Sequence, residues 1–314
     1  MKVATLAKIG ALFVALAPAH AMANVINPFE TQFDTDWTTA GVGGLRGTGT
    51  GDITISGISG SITQAYLYWH GPTNSTDPNF NANVLLNGTA VTGENIGFSD
   101  DNFWGQANSQ AYRADVTDIV TNDGVYNISG LPAEHANGAS IFAFFDDGDD
   151  TNNRDVVMFD GNDANFENPY DPVGWDVTLA GINYSGGTAE LVFTVSDGQT
   201  FTDASLNVNG VSIAGPGDVF QGDTVPQNPD TTVGNGALWD IRSFDVTGML
   251  SPGSNTFSIT HGTVSDALSL INIAVDLPAG AAPPVDSIVV PAPPALALLG
   301  SGLFVIGWAR RKAS

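Results

Sequence analysis

The stretch "IRSFDVTGMLSPGSNTFSIT", Ile241 to Thr260, decides the reading of the fold, because it has a counterpart earlier in the chain: "YRADVTDIVTNDGVYNISG", Tyr112 to Gly130. In each, an aspartate (Asp115 or Asp245) precedes Val-Thr and a polar turn. A carboxylate there can accept hydrogen bonds from backbone amides two or three residues on and so close a tight corner between strands. Its presence in both stretches marks it as structural rather than catalytic.

Working outward, the same order of signals occurs twice. "AYLYWHG" (Ala65–Gly71), "NVLLNGTAV" (Asn83–Val91) and "SIFAFFDD" (Ser140–Asp147) return as "AELVFTV" (Ala189–Val195), "LNVNGVSI" (Leu206–Ile213) and "LINIAVDL" (Leu270–Leu277). Self-similarity of this kind points to a duplicated structural unit. Val84 and Leu86, like Leu206 and Val208, alternate with period two, and each run ends at Asn-Gly (Asn87-Gly88, Asn209-Gly210), the strongest short hairpin signal. Tyr68 and Trp69 fall on opposite faces of one strand and are expected in the core. A strand ending in Asn-Gly followed by "FDVTGMLSPGSNTFSIT" resembles the galactose-binding-like jelly roll, and the first copy is similar to β-rich modules of prokaryotic cell-surface proteins. The expectation is an all-β chain of two tandem jelly-roll-like β-sandwich domains, residues 24–171 and 172–280, divided near Pro172. The resemblance covers scaffold motifs and transfers no sugar-binding residue.

The two ends have a different character. Residues 1–23, "MKVATLAKIGALFVALAPAHAMA", place Lys2 and Lys8 ahead of a short apolar run and a small-residue cleavage pattern, the form of a secretory signal peptide. After a Pro/Ala linker at 281–290, Ile288 to Ala309 is apolar or small throughout, long enough to cross a bilayer as a helix, and Arg310, Arg311 and Lys312 follow it. Positive charge there keeps that end cytoplasmic. Pro291, Ala292, Pro293 and Pro294 stand at the outer edge, where proline holds the chain extended and open to a protease. This order of proline motif, apolar helix and basic cluster over residues 291–314 resembles the PEP-CTERM sorting signal of Gram-negative bacteria that make exopolysaccharide. Ala292 stands where the family name has Glu, as in Val-Pro-x-Pro variants. The resemblance implies an exosortase-type processing enzyme as partner, transient insertion in the inner membrane, and delivery to the cell surface or extracellular matrix. A permanent single-pass anchor is the alternative.

Between the ends lie four arginines, no lysine and all 33 acidic residues, a net charge of −29. Such a chain repels nucleic acid and anionic lipid, which excludes nucleic-acid binding. The absence of cysteine rules out disulfides, thiolate metal sites and cysteine nucleophiles. Of the acids only five are glutamate; aspartate with glycine favours turns, and clustered aspartate favours calcium.

Two loops are candidate sites. In "FFDDGDDTNNRDVVMFDGND" (Phe144–Asp163), oxygen-bearing residues fall at alternate positions, Asp147, Asp149, Thr151, Asn153 and Asp155, as a calcium loop requires. The EF-hand pattern fails, with Asn152 and Met158 at its glycine and glutamate positions, so a solvated loop is the competing reading. In "GFSDDNFWGQANSQ" (Gly97–Gln110), Phe103 and Trp104 sit among Asp100 and Asn102, which suits aromatic stacking on sugar rings with polar groups on the hydroxyls. The competing reading folds the aromatics over the core. His70, His135 and His261 stand in no catalytic motif. The expected protein is a secreted, exosortase-sorted, acidic component of the cell surface or exopolysaccharide matrix, adhesive or structural and without enzymatic activity. The alternative is a carbohydrate-binding module protein, and the third reading is a polysaccharide hydrolase.

Overall fold

A computed structural model of the chain describes residues 26–100, 103–166 and 174–284. The predicted signal peptide, the division at Pro172, Asn102, and the whole sorting signal with its apolar span lie outside those residues. Among the described residues the protein is all-β, with two single 3-10 turns at Ala133–His135 and Thr247–Met249, and no helix long and apolar enough to cross a membrane.

The strands of the first part are β1 (Asn27–Val42), β2 (Gly51–Ile55), β3 (Ser61–Thr73), β4 (Asn83–Leu86), β5 (Thr89–Thr92), β6 (Glu94–Ser99), β7 (Asn108–Asp115), β8 (Gly124–Ser129) and β9 (Gly138–Asp146). They are followed by β10 (Arg154–Ala164), β11 (Trp175–Tyr184), β12 (Glu190–Ser196), β13 (Leu206–Val208), β14 (Val211–Ala214), β15 (Trp239–Asp245), β16 (Gly253–His261) and β17 (Ser269–Pro278). One hydrogen-bonded sheet runs β15-β12-β17-β10-β1-β9-β3-β7-β6, and two four-stranded sheets run β2-β8-β4-β5 and β11-β16-β13-β14. The sheets are open, with free edges.

The sequence repeat is a repeat of topology. Strands β1-β9-β3-β7 have the order of β10-β17-β12-β15, and β2-β8-β4-β5 the order of β11-β16-β13-β14. The second unit therefore opens on β10, at Arg154, on the N-terminal side of the division expected near Pro172. Pairing of β10 with β17 carries this across the boundary. Both Asn-Gly turns have positive φ at both residues, 49° and 77° at Asn87-Gly88 and 51° and 76° at Asn209-Gly210, the left-handed pair that matches the twist of a two-residue hairpin. Both Asp-Val-Thr corners close as expected, with the Asp115 and Asp245 carboxylates each accepting the N–H of the threonine two residues on, at 2.9 Å.

Central strands are buried on both faces, which explains their unbroken apolar runs. In β9, Ile141 and Ala143 enter the core against β2, β4 and β8, while Phe142 and Phe144 face the other way. In β3, Trp69 lies in the first core and Tyr68 faces away from it, the opposite placement expected of them. The second unit has its own core, built on Phe159, Trp175, Phe193 and Phe257. Tyr68, Phe142, Phe144, Met158, Trp239 and Ile271 form a third core between the units.

The second unit also buries carboxylates. Asp203 Oδ2 accepts the N–H groups of Val219 and Phe220, both at 2.7 Å; Asp240 Oδ2 accepts that of Gly222 at 2.7 Å; Asp266 Oδ2 accepts that of Gln199 at 3.1 Å. The bonds to Asp203 and Asp240 satisfy the backbone of the long connection between β14 and β15, and that to Asp266 serves the connection between β12 and β13; these would otherwise bury unpaired donors. Burial pushes Asp266 up to about 8 and Asp203 up to about 6, and the neighbouring aspartate charges add to it. A raised folded-state value means the native state holds the proton longer than the unfolded chain. That stability is complete at acid pH and is lost as pH rises through the folded value. Buried His70 and His261, pushed down to about 3 and about 4 by desolvation, act oppositely, but their contribution is complete above the ordinary value of 6.5. Between pH 6.5 and pH 8 the carboxyl effect therefore stands alone. Denaturant midpoints should fall across that interval in the native chain and change much less in Asp266→Asn; an equal fall in both would place the titration elsewhere.

Candidate functional site

Two hollows form where β1 changes partner. Its first part pairs with β10 as far as Thr35↔Arg154, and from Asp36 it pairs with β9, with a register shift between Gln32 and Thr35. Asp34 occupies the shift with φ of 52°, a left-handed conformation that aspartate tolerates better than most residues. The bulge turns Phe33 outward, leaving it 45% exposed.

The acidic loop between β9 and β10 is fastened over this bulge. Asp36 accepts the N–H of Asp147 at 3.2 Å and the Asn152 amide at 3.0 Å, and the Asn153 amide donates to the Asp34 carbonyl and carboxylate at 3.0 and 3.2 Å. Burial raises the Asp36 carboxyl above its ordinary range. The five residues predicted as calcium ligands are not brought together. Asp147 accepts the N–H of Asp149, and Asp149 accepts the N–H and hydroxyl of Thr151, so these oxygens serve local turns. Asp155 is buried and points elsewhere, accepting the N–H groups of Asp34 and Ala282 at 3.1 and 3.0 Å. Among the described residues no three His, Asp or Glu side chains are grouped to hold a metal ion.

What the loop does build is the wall of a hollow of about 250 Å³ lined by Gln32, Phe33, Asp34, Thr35, Thr63, Phe145, Asp146, Asp150 and Asn153. Beyond Phe33 and Asp34 a second, apolar hollow of about 600 Å³ continues along Ala279, Gly280, Ala282 and Pro284. Phe33 and Asp34 line both hollows, referred to together as the trough. No spacing pattern pointed to it, although the aromatic set between Gln32 and Asp34 in "TQFDTD" is the same kind of local signal as Phe103-Trp104.

The Trp104 loop is engaged with the protein. The Trp104 indole N–H donates to Asp197 at 2.6 Å, and the Arg46 guanidinium lies 3.1 Å over its ring. That face is covered. Phe103 is 72% exposed but packs edge-on to Phe166 with ring centroids 4.8 Å apart, and Asp100 is half-buried. The aromatics are thus split, one tied down and one outward.

Behind Trp104 the two units meet in a buried polar network. His70 Nδ1 in β3 lies 2.6 Å from Ser196 Oγ in β12, and the Asn137 amide donates to Ser196 at 3.0 Å and to Asp197 at 3.4 Å. Arg46 donates to the Asn137 side-chain oxygen. A serine, a histidine and an aspartate meet here, but a nucleophile must reach its substrate, and Ser196 and Asp197 are fully buried with His70 only 1% exposed. The arrangement is a clamp between the units.

No family model and no curated protein matches the chain. One solved structure to which it is similar is a peptide-N(4)-(N-acetyl-β-D-glucosaminyl) asparagine amidase, at 9% identity and a TM-score of 0.22, covering 77% of this chain and 96% of that one. The expectation of a protein without enzymatic activity is not carried forward; the similar structure is that of an enzyme. At that TM-score the likeness assigns neither a fold nor a reaction here.

Proposed function

We propose that the chain is an exported, acidic component of the cell surface or exopolysaccharide matrix, built of two jelly-roll-like units, which adheres to glycan through the trough at Phe33. The observation that carries this is an exposed aromatic ring set between a polar hollow of carboxylates, amides and hydroxyls and an apolar one. Sugar recognition needs that combination, an apolar platform for the ring and fixed polar groups for the hydroxyls. The site of the carbohydrate-binding alternative therefore moves from Trp104, whose face is covered, to Phe33. A second reading, hydrolysis of a polysaccharide in the same trough, is favoured by Asp34, Asp146 and Asp150 on its wall, since paired carboxyl groups perform that chemistry.

A glycan array with the full chain should show selective binding that Phe33→Ala weakens at least about tenfold, the loss of roughly 1.4 kcal/mol that a stacked ring contributes. Trp104→Ala should leave it intact. Unaltered binding by Phe33→Ala would remove the trough from the reading, and release of reducing ends would favour the hydrolytic one.

Calcium in the Asp147–Asp155 loop would stabilise the native chain by about 2.7 kcal/mol at a hundredfold excess over Kd. Melting curves in EDTA and in millimolar calcium measure this, and identical curves exclude it. For the ends, the proposal is removal of residues 1–23, cleavage near Pro291–Pro294, and loss of the span and its Arg310, Arg311 and Lys312. Intact mass of surface-extracted protein should place the C-terminus upstream of Ala295; mature protein in the inner membrane with Ser314 attached would show an anchor.

A further inference from the structure

We infer that the apolar hollow is the berth of the chain's own segment Ile288-Val289-Val290, so that this segment and a glycan compete for the Phe33 ring. The docking is argued from the hollow and the path of the chain; its effect on binding rests on the reading of Phe33 as the glycan contact.

The path comes first. Strand β17 ends at Pro278, and the N–H of Ala281 donates to the Pro278 carbonyl at 3.0 Å, closing a turn. The chain then passes beside the bulge of β1, because one carboxylate holds both. Asp155 accepts the N–H of Asp34 at 3.1 Å and that of Ala282 at 3.0 Å. Two residues after the buried Ala282, Pro284 is exposed and stands in the wall of the apolar hollow with Phe33, Ala279 and Gly280. Whatever follows Pro284 therefore starts at the rim of that hollow. From Pro284 to Ile288 is four residues, a reach of at most about 14 Å. The three apolar side chains that follow stay close to the hollow however the tether runs, and so short a tether gives docking a high effective concentration.

The second argument is chemistry. In "VDSIVVPAPP", Val285–Pro294, Ile288, Val289 and Val290 are large and apolar between a polar Asp286-Ser287 and the prolines. β-branched side chains, and a proline after the last of them, favour an extended backbone, the form in which a peptide lies along a groove. The hollow's wall is apolar apart from Asp34 and Asp155, and the Asp155 carboxylate is taken by the two N–H groups. The polar hollow, walled by Asp146, Asp150 and Asn153, suits such a segment poorly. A second copy of the chain is the poorer occupant, since each body is strongly acidic and repels the other. Cleavage near Pro291–Pro294 leaves the segment on the released body, so a glycan must displace it in the mature protein too.

The test is carbene footprinting of the full chain, read residue by residue by mass spectrometry. Phe33 and Phe201 are 45% and 48% exposed, so they label alike unless something further covers one of them. A segment docked about nine-tenths of the time slows labelling of Phe33 about tenfold relative to Phe201. Ile288→Ser combined with Val289→Ser should restore equal labelling, and Val289→Ile should keep the protection. On a glycan array the double serine variant should bind about tenfold more tightly than the native chain, because the competing state is gone. Equal labelling of Phe33 and Phe201 in the native chain overturns the inference. Protection that grows with protein concentration also overturns it, by making the occupant a second copy. If the double variant uncovers Phe33 and leaves glycan binding unchanged, the competition is overturned. If Phe33 is protected and no form binds any glycan, the glycan reading fails and the docking stands.

Discussion

The structure depends on one strand serving two sheets. Through Thr35, β1 is bonded to β10 of the second unit, and from Asp36 it is bonded to β9 of the first. A straight strand would extend a flat sheet; the bulge at Gln32–Thr35 lets the sheet turn, so that the two halves face each other over Tyr68, Phe142, Phe144, Met158 and Trp239. Once they face, the polar clamp of His70, Ser196 and Asn137 becomes buried. The same bulge lifts Phe33 out of the sheet and gives the acidic loop its anchor points at Asp34 and Asp36. Joining, inter-unit core and trough all follow from a single local change of register.

Much of each unit was legible in the sequence, because its signals are short-ranged. An Asn-Gly turn needs two residues and a capped corner needs three, so the β4–β5 and β13–β14 hairpins and the Asp115 and Asp245 corners could be read from neighbours alone. The doubled order of these signals also foretold the doubled strand order. The join was not legible. Strands β1 and β10 share no motif, and their pairing connects residues more than a hundred positions apart, such as Gln32 with Val156. The second unit consequently begins earlier than the repeat implied.

The same limit applies to the candidate sites. Asp155 has the spacing of a ligand within its own loop, but the N–H groups of Asp34 and Ala282, distant in sequence, claim its oxygens. Trp104 looks like a free platform until Arg46 and Asp197 arrive from turns distant in sequence. Side-chain spacing reports what a loop offers, and long-range partners decide what is left over. Phe33 stays exposed at the bulge, while the Asp34 carboxylate beside it accepts from Asn153.

The placement of the arginines has a consequence for resistance to proteolysis. Arg46 is 7% exposed, and the side chains of Arg113 and Arg154 are 14% and 20% exposed. Arg113, Arg154 and Arg242 lie within paired strands, and there is no lysine between the two ends. A protease that cuts after basic residues must bind an extended, unpaired stretch around its target, and the folded body presents it with almost nothing to grip. With the arginines largely buried or held within paired strands and no lysine between the ends, the folded body is a poor substrate for trypsin-like enzymes without a single disulfide.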